Sequence, residues 1–223
     1  MNFKNKKLII FDLDGTLIDS IPDLTLSLNN MLAHYKLSPL TIEQVIPFIG
    51  NGAKLLVERG IEFSTKNKIT PKIDFEEAFK LYYESYRENT CIKTYAYPGV
   101  VETLRYLKQR GYKLAICTNK PLAFIEPILL KLNIKQYFNH WIGEDSLSEK
   151  KPSATPLLYL SEKENVTIDE CLMVGDSKND IYAAHNANME CVAVSYGYNN
   201  NEDISVYNPT LRIDEFSVLQ DIL

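Results

Sequence analysis

The feature that most constrains this chain is the stretch Leu8-Ile9-Ile10-Phe11-Asp12-Leu13-Asp14-Gly15-Thr16. A run of apolar residues ended abruptly by an acid and a glycine turn predicts a short strand buried on both faces, as in a parallel sheet between helical layers. Asp12 falls where that strand ends; alternation turns Leu13 away and brings Asp14 round to the Asp12 side. Gly15 lets the chain turn sharply, and Thr16 can hydrogen-bond the turn. Two carboxylates at one strand end, one able to attack and one able to move protons, suit covalent phosphoryl transfer. The structural alternative is a hydrophobic strand that simply runs into an Asp-Gly turn. An EF-hand loop also begins Asp-x-Asp, but it needs a third ligand before its glycine and an entering helix, and neither is present.

Behind this strand the periodicity becomes helical. Ser20-Ile21-Pro22-Asp23 reads as a helix start, with Ser20 as N-cap and Asp23 closing a capping box. Leu24, Leu28, Met31, Leu32 and Tyr35 then recur at helical spacing. Further helices are predicted over about 41–48, 52–59 and from Asp74 to Glu88. The region 19–92 carries no strand signal and is predicted to be an all-helical cap, hinged over the site by two short crossings. An appended bundle without contact to the pocket is the alternative. From Tyr97 onward strands and helices alternate. Strands are expected over Lys113–Cys117, near 138–142, and over 171–174 and 191–194. Helices are expected after Pro98-Gly99 and over about 121–132, 153–163, 179–187 and 214–223, with an exposed loop from Tyr198 to Asp203. The fold class is therefore α/β: a doubly wound parallel sheet, Rossmann-like, formed by 1–18 and 93–223, with the helical cap inserted.

The chemistry-bearing residues fall at the carboxyl ends of these strands, where open α/β sheets bind ligands. Thr118 offers a hydroxyl, and the backbone N–H groups of Asn119 and Lys120 approach a helix start that favours an anion; a simple helix cap is the alternative. Lys151, before Pro152, is a cation at a helix start, a poor place for one unless an anion neutralises it; beside Lys150 it also reads as a solvated lysine. Gly175-Asp176-Ser177-x-x-Asp180 places two acids a turn apart at a strand–helix junction. With Asp12 and Asp14 these acids would repel strongly unless a cation sat among them. Oxygen donors without histidine point to a hard ion, Mg²⁺ first.

Composition narrows the partners. A formal net charge of −5 argues against general affinity for nucleic acid or anionic membrane. No apolar run approaches a membrane span, and the lysines before Leu8 precede too short a run for a signal-peptide core. Cys91, Cys117, Cys171 and Cys191 lie far apart with no Cys-x-x-Cys pair, so free thiols in a reducing cytoplasm are expected.

Taken together, Asp12-x-Asp14-Gly-Thr, Thr118-Asn119, Lys151-Pro152 and Gly175-Asp176-x-x-x-Asp180 resemble the motifs of the haloacid dehalogenase-like hydrolase superfamily over essentially the whole chain. The resemblance implies that Asp12 is a nucleophile forming an aspartyl-phosphate. Asp14 is then the acid that protonates the leaving oxygen and later activates water. It implies that Thr118 and Lys151 hold the phosphoryl oxygens. Mg²⁺ is implied on Asp12, the Asp14 carbonyl and Asp176, with Asp180 nearby. An acid at position 14 favours a phosphatase or phosphomutase over a dehalogenase. The segment from Ile49 to Arg59 and the later Tyr196-Gly197-Tyr198 are similar to phosphoglycolate phosphatases. There, backbone N–H groups at the glycine-flexed start near Gly52, with Lys54, would receive a small carboxylate; a solvated helix junction is the alternative. The expected substrate is a small phosphorylated metabolite, 2-phosphoglycolate first, with the protein a monomer or homodimer. Alternatives are another sugar- or nucleotide-monophosphate phosphatase, a β-phosphoglucomutase-like mutase, or a phospho-ligand binding module without turnover. Two departures from the family pattern are Ser153-Ala154-Thr155-Pro156 after Lys151-Pro152, and Asn188 where relatives carry glycine. Asn is the least costly replacement for a left-handed glycine.

Overall fold

Leu8–Phe11 forms strand β1, and all four of its side chains are buried. The structure, a computed structural model, describes residues 3–66, 72–199 and 202–223. β1 lies between β4 (Lys113–Cys117) and β6 (Cys171–Gly175), parallel to both, with Leu8 opposite Lys113 on one side and Cys171 on the other. Outside β4 lies β5 (His140–Ile142); outside β6 lie β7 (Glu190–Val194) and β8 (Leu211–Ile213). The sheet order is β5-β4-β1-β6-β7-β8, every neighbouring pair parallel. The chain builds one side of β1, then crosses and builds the other. The order therefore reverses at β1, and a ligand crevice opens at its carboxyl end.

Alternation sorts the strand residues into two layers. Ile9, Phe11, Leu114, Ile116, Leu172 and Val174 pack on the face covered by α5 (Val100–Gln109), α6 (Leu122–Lys131) and the short α9 (Leu219–Ile222). Leu8, Ile10, Ala115, Cys117 and Met173 pack on the other, under α7 (Thr155–Glu164) and α8 (Lys178–Asn186). This is the doubly wound sheet expected. Asn188, at the end of α8's turn, has φ 54°, the left-handed conformation anticipated for it.

Helices α1 (Ile21–His34), α2 (Ile42–Val45), α3 (Ala53–Thr65) and α4 (Phe75–Asn89) follow the first strand. They are bracketed by two short strands, β2 (Ile18–Asp19) and β3 (Tyr95–Ala96), which pair antiparallel and lay the two crossings side by side. Between β2 and β3 there is no strand among the described residues. The capping box at the start of α1 is not formed. Ser20 makes no side-chain cap bond, and the buried Asp23 carboxylate instead accepts the N–H groups of Ile92, Lys93 and Thr94 and the Thr94 hydroxyl. The second crossing, with three amides to satisfy, outcompetes the local cap. The expected helix over 214–223 is also shorter: β8 ends at Ile213, and only Leu219–Ile222 is α-helical. The predicted loop 198–203 includes positions 200 and 201, which lie outside the described residues, and its first member, Tyr198, is half-buried. Among the described residues, no helix is long and apolar enough to cross a membrane.

Candidate active site

Sheet geometry brings three acids together. The Asp12 N–H donates to the Val174 carbonyl of β6 at 2.9 Å, which fixes the backbone where β1 ends. Asp176 follows β6 directly; Thr16 Oγ1 and the Tyr198 N–H each donate to its carboxylate at 2.8 Å. Asp180, on the first turn of α8, accepts from the Ser177 N–H and hydroxyl at 2.9 and 2.7 Å. Each of the three carboxylates offers an oxygen within 4.8 Å of the others, and all are buried. Glycines leave them room. A Cβ at Gly15 would lie 2.3 Å from the Asp176 carboxylate, one at Gly197 2.3 Å from the same oxygen, and one at Gly175 2.3 Å from the Asp180 carboxyl carbon.

Lys151 answers part of this charge. Its buried Nζ stands 2.9 Å from Asp12 Oδ1 and 2.5 Å from Asp180 Oδ1. The solvated alternative for Lys151 is thereby excluded; Lys150 takes a separate path. Burial works against the Lys151 ammonium, but Asp12 and Asp180 outweigh it and raise its pKa above the ordinary lysine value. One cation is not enough for three acids. Burial pushes the Asp12 carboxyl up to about 6 despite Lys151, with Asp180 adding to the rise. Burial, then Asp12 and Asp180, push Asp176 well above the usual carboxylate range. Asp12 Oδ1 also completes no hydrogen bond of good geometry among the described residues. Oxygen-only donors, crowded, buried and short of positive charge, fit a divalent cation, which Asp12, Asp176 and Asp180 could hold.

Asp14 stands apart from that trio, contrary to the expectation of four acids around one ion. Its side chain accepts a hydrogen bond from Ser20 Oγ and faces Lys120 Nζ, 3.0 and 3.1 Å from its two oxygens. The sequence points to Lys120 through its backbone N–H; that N–H goes to Thr118 Oγ1 at 3.2 Å, and it is the side chain that faces Asp14. Thr118 and Asn119 are buried at the end of β4. The Asn119 amide donates to the carbonyls of Lys151 and Gly50 at 2.9 and 3.0 Å, tying the lysine loop to the helical segment. Asp12, Asp14, Thr118, Asn119, Lys120 and Gly52 line one chamber of about 50 Å³, walled on its far side by apolar and aromatic residues of α1, α3, α4 and α6.

The start of α3 does not serve as the open carboxylate receptor expected of Gly52 and Lys54. A carboxylate of the chain itself sits there: Glu144 accepts the Ala53 N–H at 3.2 Å and pairs with Lys150 Nζ at 2.7 Å, while Lys150 also donates to the Asn51 carbonyl. Gly52 is needed because a Cβ would fall 2.0 Å from Glu144 Oε2. Lys54 is exposed, lies over the Phe79 ring at 5.7 Å and borders an outer groove with Glu144 and Lys150. Sequence reasoning thus missed Ser20, Lys120 and Glu144 as contributors. Lys120 alone had a signal, its position directly after Thr118-Asn119 at a strand end.

This site can be compared with known proteins. A sequence model described as "Haloacid dehalogenase-like hydrolase" matches residues 9–194, from β1 to the end of β7. The chain belongs to the haloacid dehalogenase-like hydrolases. It is similar to the phosphoglycolate phosphatase of Psychrobacter arcticus, 43% identical over 98% of this chain and 96% of the relative. It is also similar to that of Colwellia psychrerythraea, 41% identical over 98% and 97%. A crystal structure described as a predicted phosphoglycolate phosphatase from Haemophilus somnus 129pt superimposes with a TM-score of 0.94 at 40% identity, covering 98% of each chain. As a haloacid dehalogenase-like hydrolase, the chain keeps all four motif positions in one crevice, with Asp14 and its lysine on one side and the acid trio on the other.

Proposed function

We propose that the protein hydrolyses a small phosphate monoester, 2-phosphoglycolate first, in the cytoplasm. The single observation that carries this reading is the division of labour at the end of β1. Asp12 sits among the buried acids and Lys151, whereas Asp14 faces the chamber, held by Ser20 and Lys120. An Asp12 carboxylate oxygen attacks phosphorus as the ester P–O bond breaks, and Asp14 gives its proton to the departing oxygen. Asp14 then takes a proton from water, which attacks phosphorus, breaks the acyl–phosphate bond, releases phosphate and restores Asp12. Thr118 and Lys151 hold the phosphoryl oxygens during both steps. Asp12 and Asp176, with the Asp14 carbonyl and Asp180 nearby, would hold Mg²⁺, which supplies positive charge to the phosphoryl group when bound.

The names of the relatives support phosphoglycolate. We assign residues 19–92 as a cap that excludes water from the chamber and 1–18 with 93–223 as the catalytic core. Support comes from the paired crossings β2 and β3, and from the chamber drawing its walls from both parts. Free cysteines support the cytoplasmic setting.

The test is a phosphate-release panel of 2-phosphoglycolate, hexose phosphates and nucleoside monophosphates, with Mg²⁺ and with EDTA. Turnover is expected to be highest on 2-phosphoglycolate and to stop with EDTA. Asp12→Asn is expected to lower it by about 1,000-fold or more, and substantial residual turnover would remove Asp12 from the nucleophile's role.

A further inference from the structure

Granting a carboxylate-bearing ester as substrate, its carboxylate needs a receptor, and the start of α3 is already taken by Glu144. The chamber offers another. Lys120 Nζ is buried, its side chain 3% exposed, and projects among aromatic walls with its Nζ 4.7 Å from the centre of the Tyr86 ring. An ammonium placed there is costly unless an anion answers it, and among the described residues the carboxylate it pairs with is Asp14. Asp14, however, must turn to the ester oxygen if it is the acid of the reaction.

Tyr86 supplies the second, independent observation. It is 1% exposed and lines the chamber from α4, yet its hydroxyl has no hydrogen-bond partner among the described residues. A buried polar group without a partner calls for a ligand or a strained reason to exist. Burial, then the charges of Asp14 and Asp23, hold the phenol protonated, so it is a donor. Its ring is fixed against Phe124 of α6, with centroids 4.7 Å apart, so the hydroxyl is not free to swing into solvent.

We infer that Lys120 and Tyr86 form the subsite for the substrate's carboxylate, one from the core and one from the helical segment, and so determine specificity for an acidic ester. A carboxylate entering there meets a charged and a neutral donor, and Lys120 moves from Asp14 toward it. Asp14 is left with Ser20 and the ester oxygen. Lys54, outside the chamber, takes no part. The inference rests on the phosphatase reading of the site, and its test separates the two.

Turnover of 2-phosphoglycolate is compared with that of its amide, 2-amino-2-oxoethyl phosphate, which keeps the shape and lacks the charge. The wild-type protein is expected to prefer the acid. Tyr86→Phe, which removes only the unpartnered hydroxyl, should lower that preference in kcat/KM about 10-fold, through KM for the acid. Lys120→Met should lower it about 100-fold, and because both esters are measured on one variant, any loss of Asp14 alignment or folded fraction cancels from the ratio. If the wild type turns over both esters equally, the phosphoglycolate reading fails, and the subsite with it. If the wild type prefers the acid and both variants keep that preference, the phosphoglycolate reading stands and this subsite is overturned.

Discussion

Ser20 has two tasks within hydrogen-bond reach, and the structure assigns it the less local one. Its hydroxyl donates to Asp14 rather than capping α1, and its N–H donates to the Tyr198 hydroxyl at 2.8 Å. A neutral donor on a carboxylate is worth about 1.5–3 kcal/mol, and its loss is felt wherever that carboxylate must be aimed. Ser20→Ala is therefore expected to lower kcat about 10-fold with KM for the ester unchanged. Its melting temperature should fall by only a few degrees, since the bond to Asp14 is lost but no cap bond is; an unchanged kcat would return Ser20 to a packing role. Asp12, Thr118 and Asp176 were legible as chemistry because each stands where an apolar strand run stops, and Asp14, Lys151 and Asp180 because they follow such ends at a turn or before or within the next helix. Ser20 was not, because a serine before a helix reads as its cap and not as a donor to an acid six residues back; Lys120 was not, because its partner at position 14 is set by which loops the sheet brings together. Lys120 meets Asp14 across 106 positions, and no spacing rule spans that distance. Lys54 misled for the converse reason: a charge beside a flexible helix start looks like a receptor until another chain segment is seen to fill it.

The same logic governs the elements. The core strands were readable because parallel strands buried on both faces are continuously apolar. β2 and β3, two residues each, are too short to show alternation and exist because the crossings are held together elsewhere. The holding group is Asp23. Its buried carboxylate collects the amides of Ile92, Lys93 and Thr94, clamping the start of α1 to the return crossing. Asp23→Ala would take the partner from two buried donors of Thr94 and from the part-buried amides of Ile92 and Lys93, at about 3 kcal/mol or more. For a chain of this length that corresponds to a fall of about 6–12 °C in melting temperature by calorimetry. Asp23→Asn, which keeps one acceptor oxygen, should fall by less. An alanine variant melting within about 2 °C of the wild type would show that the pairing of β2 with β3 suffices without the clamp.

At the scale of the whole molecule, the acid cluster links stability to pH and to metal. A carboxyl near its ordinary value of about 3.9 in the unfolded chain rises to about 6 at Asp12 on folding, and Asp176 rises well above its usual range. Between those limits the folded protein binds more protons than the unfolded one. The cluster's contribution is thus fully present below about pH 4 and is lost as pH rises through 6. For Asp12 alone the loss is about 3 kcal/mol, or roughly 6–12 °C for a chain of this size. In EDTA, the wild-type melting temperature should therefore drop relative to Asp12→Asn as pH goes from 4.5 to 7.5, because the amide has no proton to lose. A bound divalent cation favours the ionised carboxylates and reverses the effect. At pH 7.5, Mg²⁺ at 100 times its dissociation constant should restore about 2.7 kcal/mol. At pH 4.5, where the cluster already carries protons, it should restore little. Equal stabilisation by Mg²⁺ at both values would mean that the ion binds elsewhere, since only a site whose ligands lose protons across this range can make metal affinity and folding respond to pH in opposite directions.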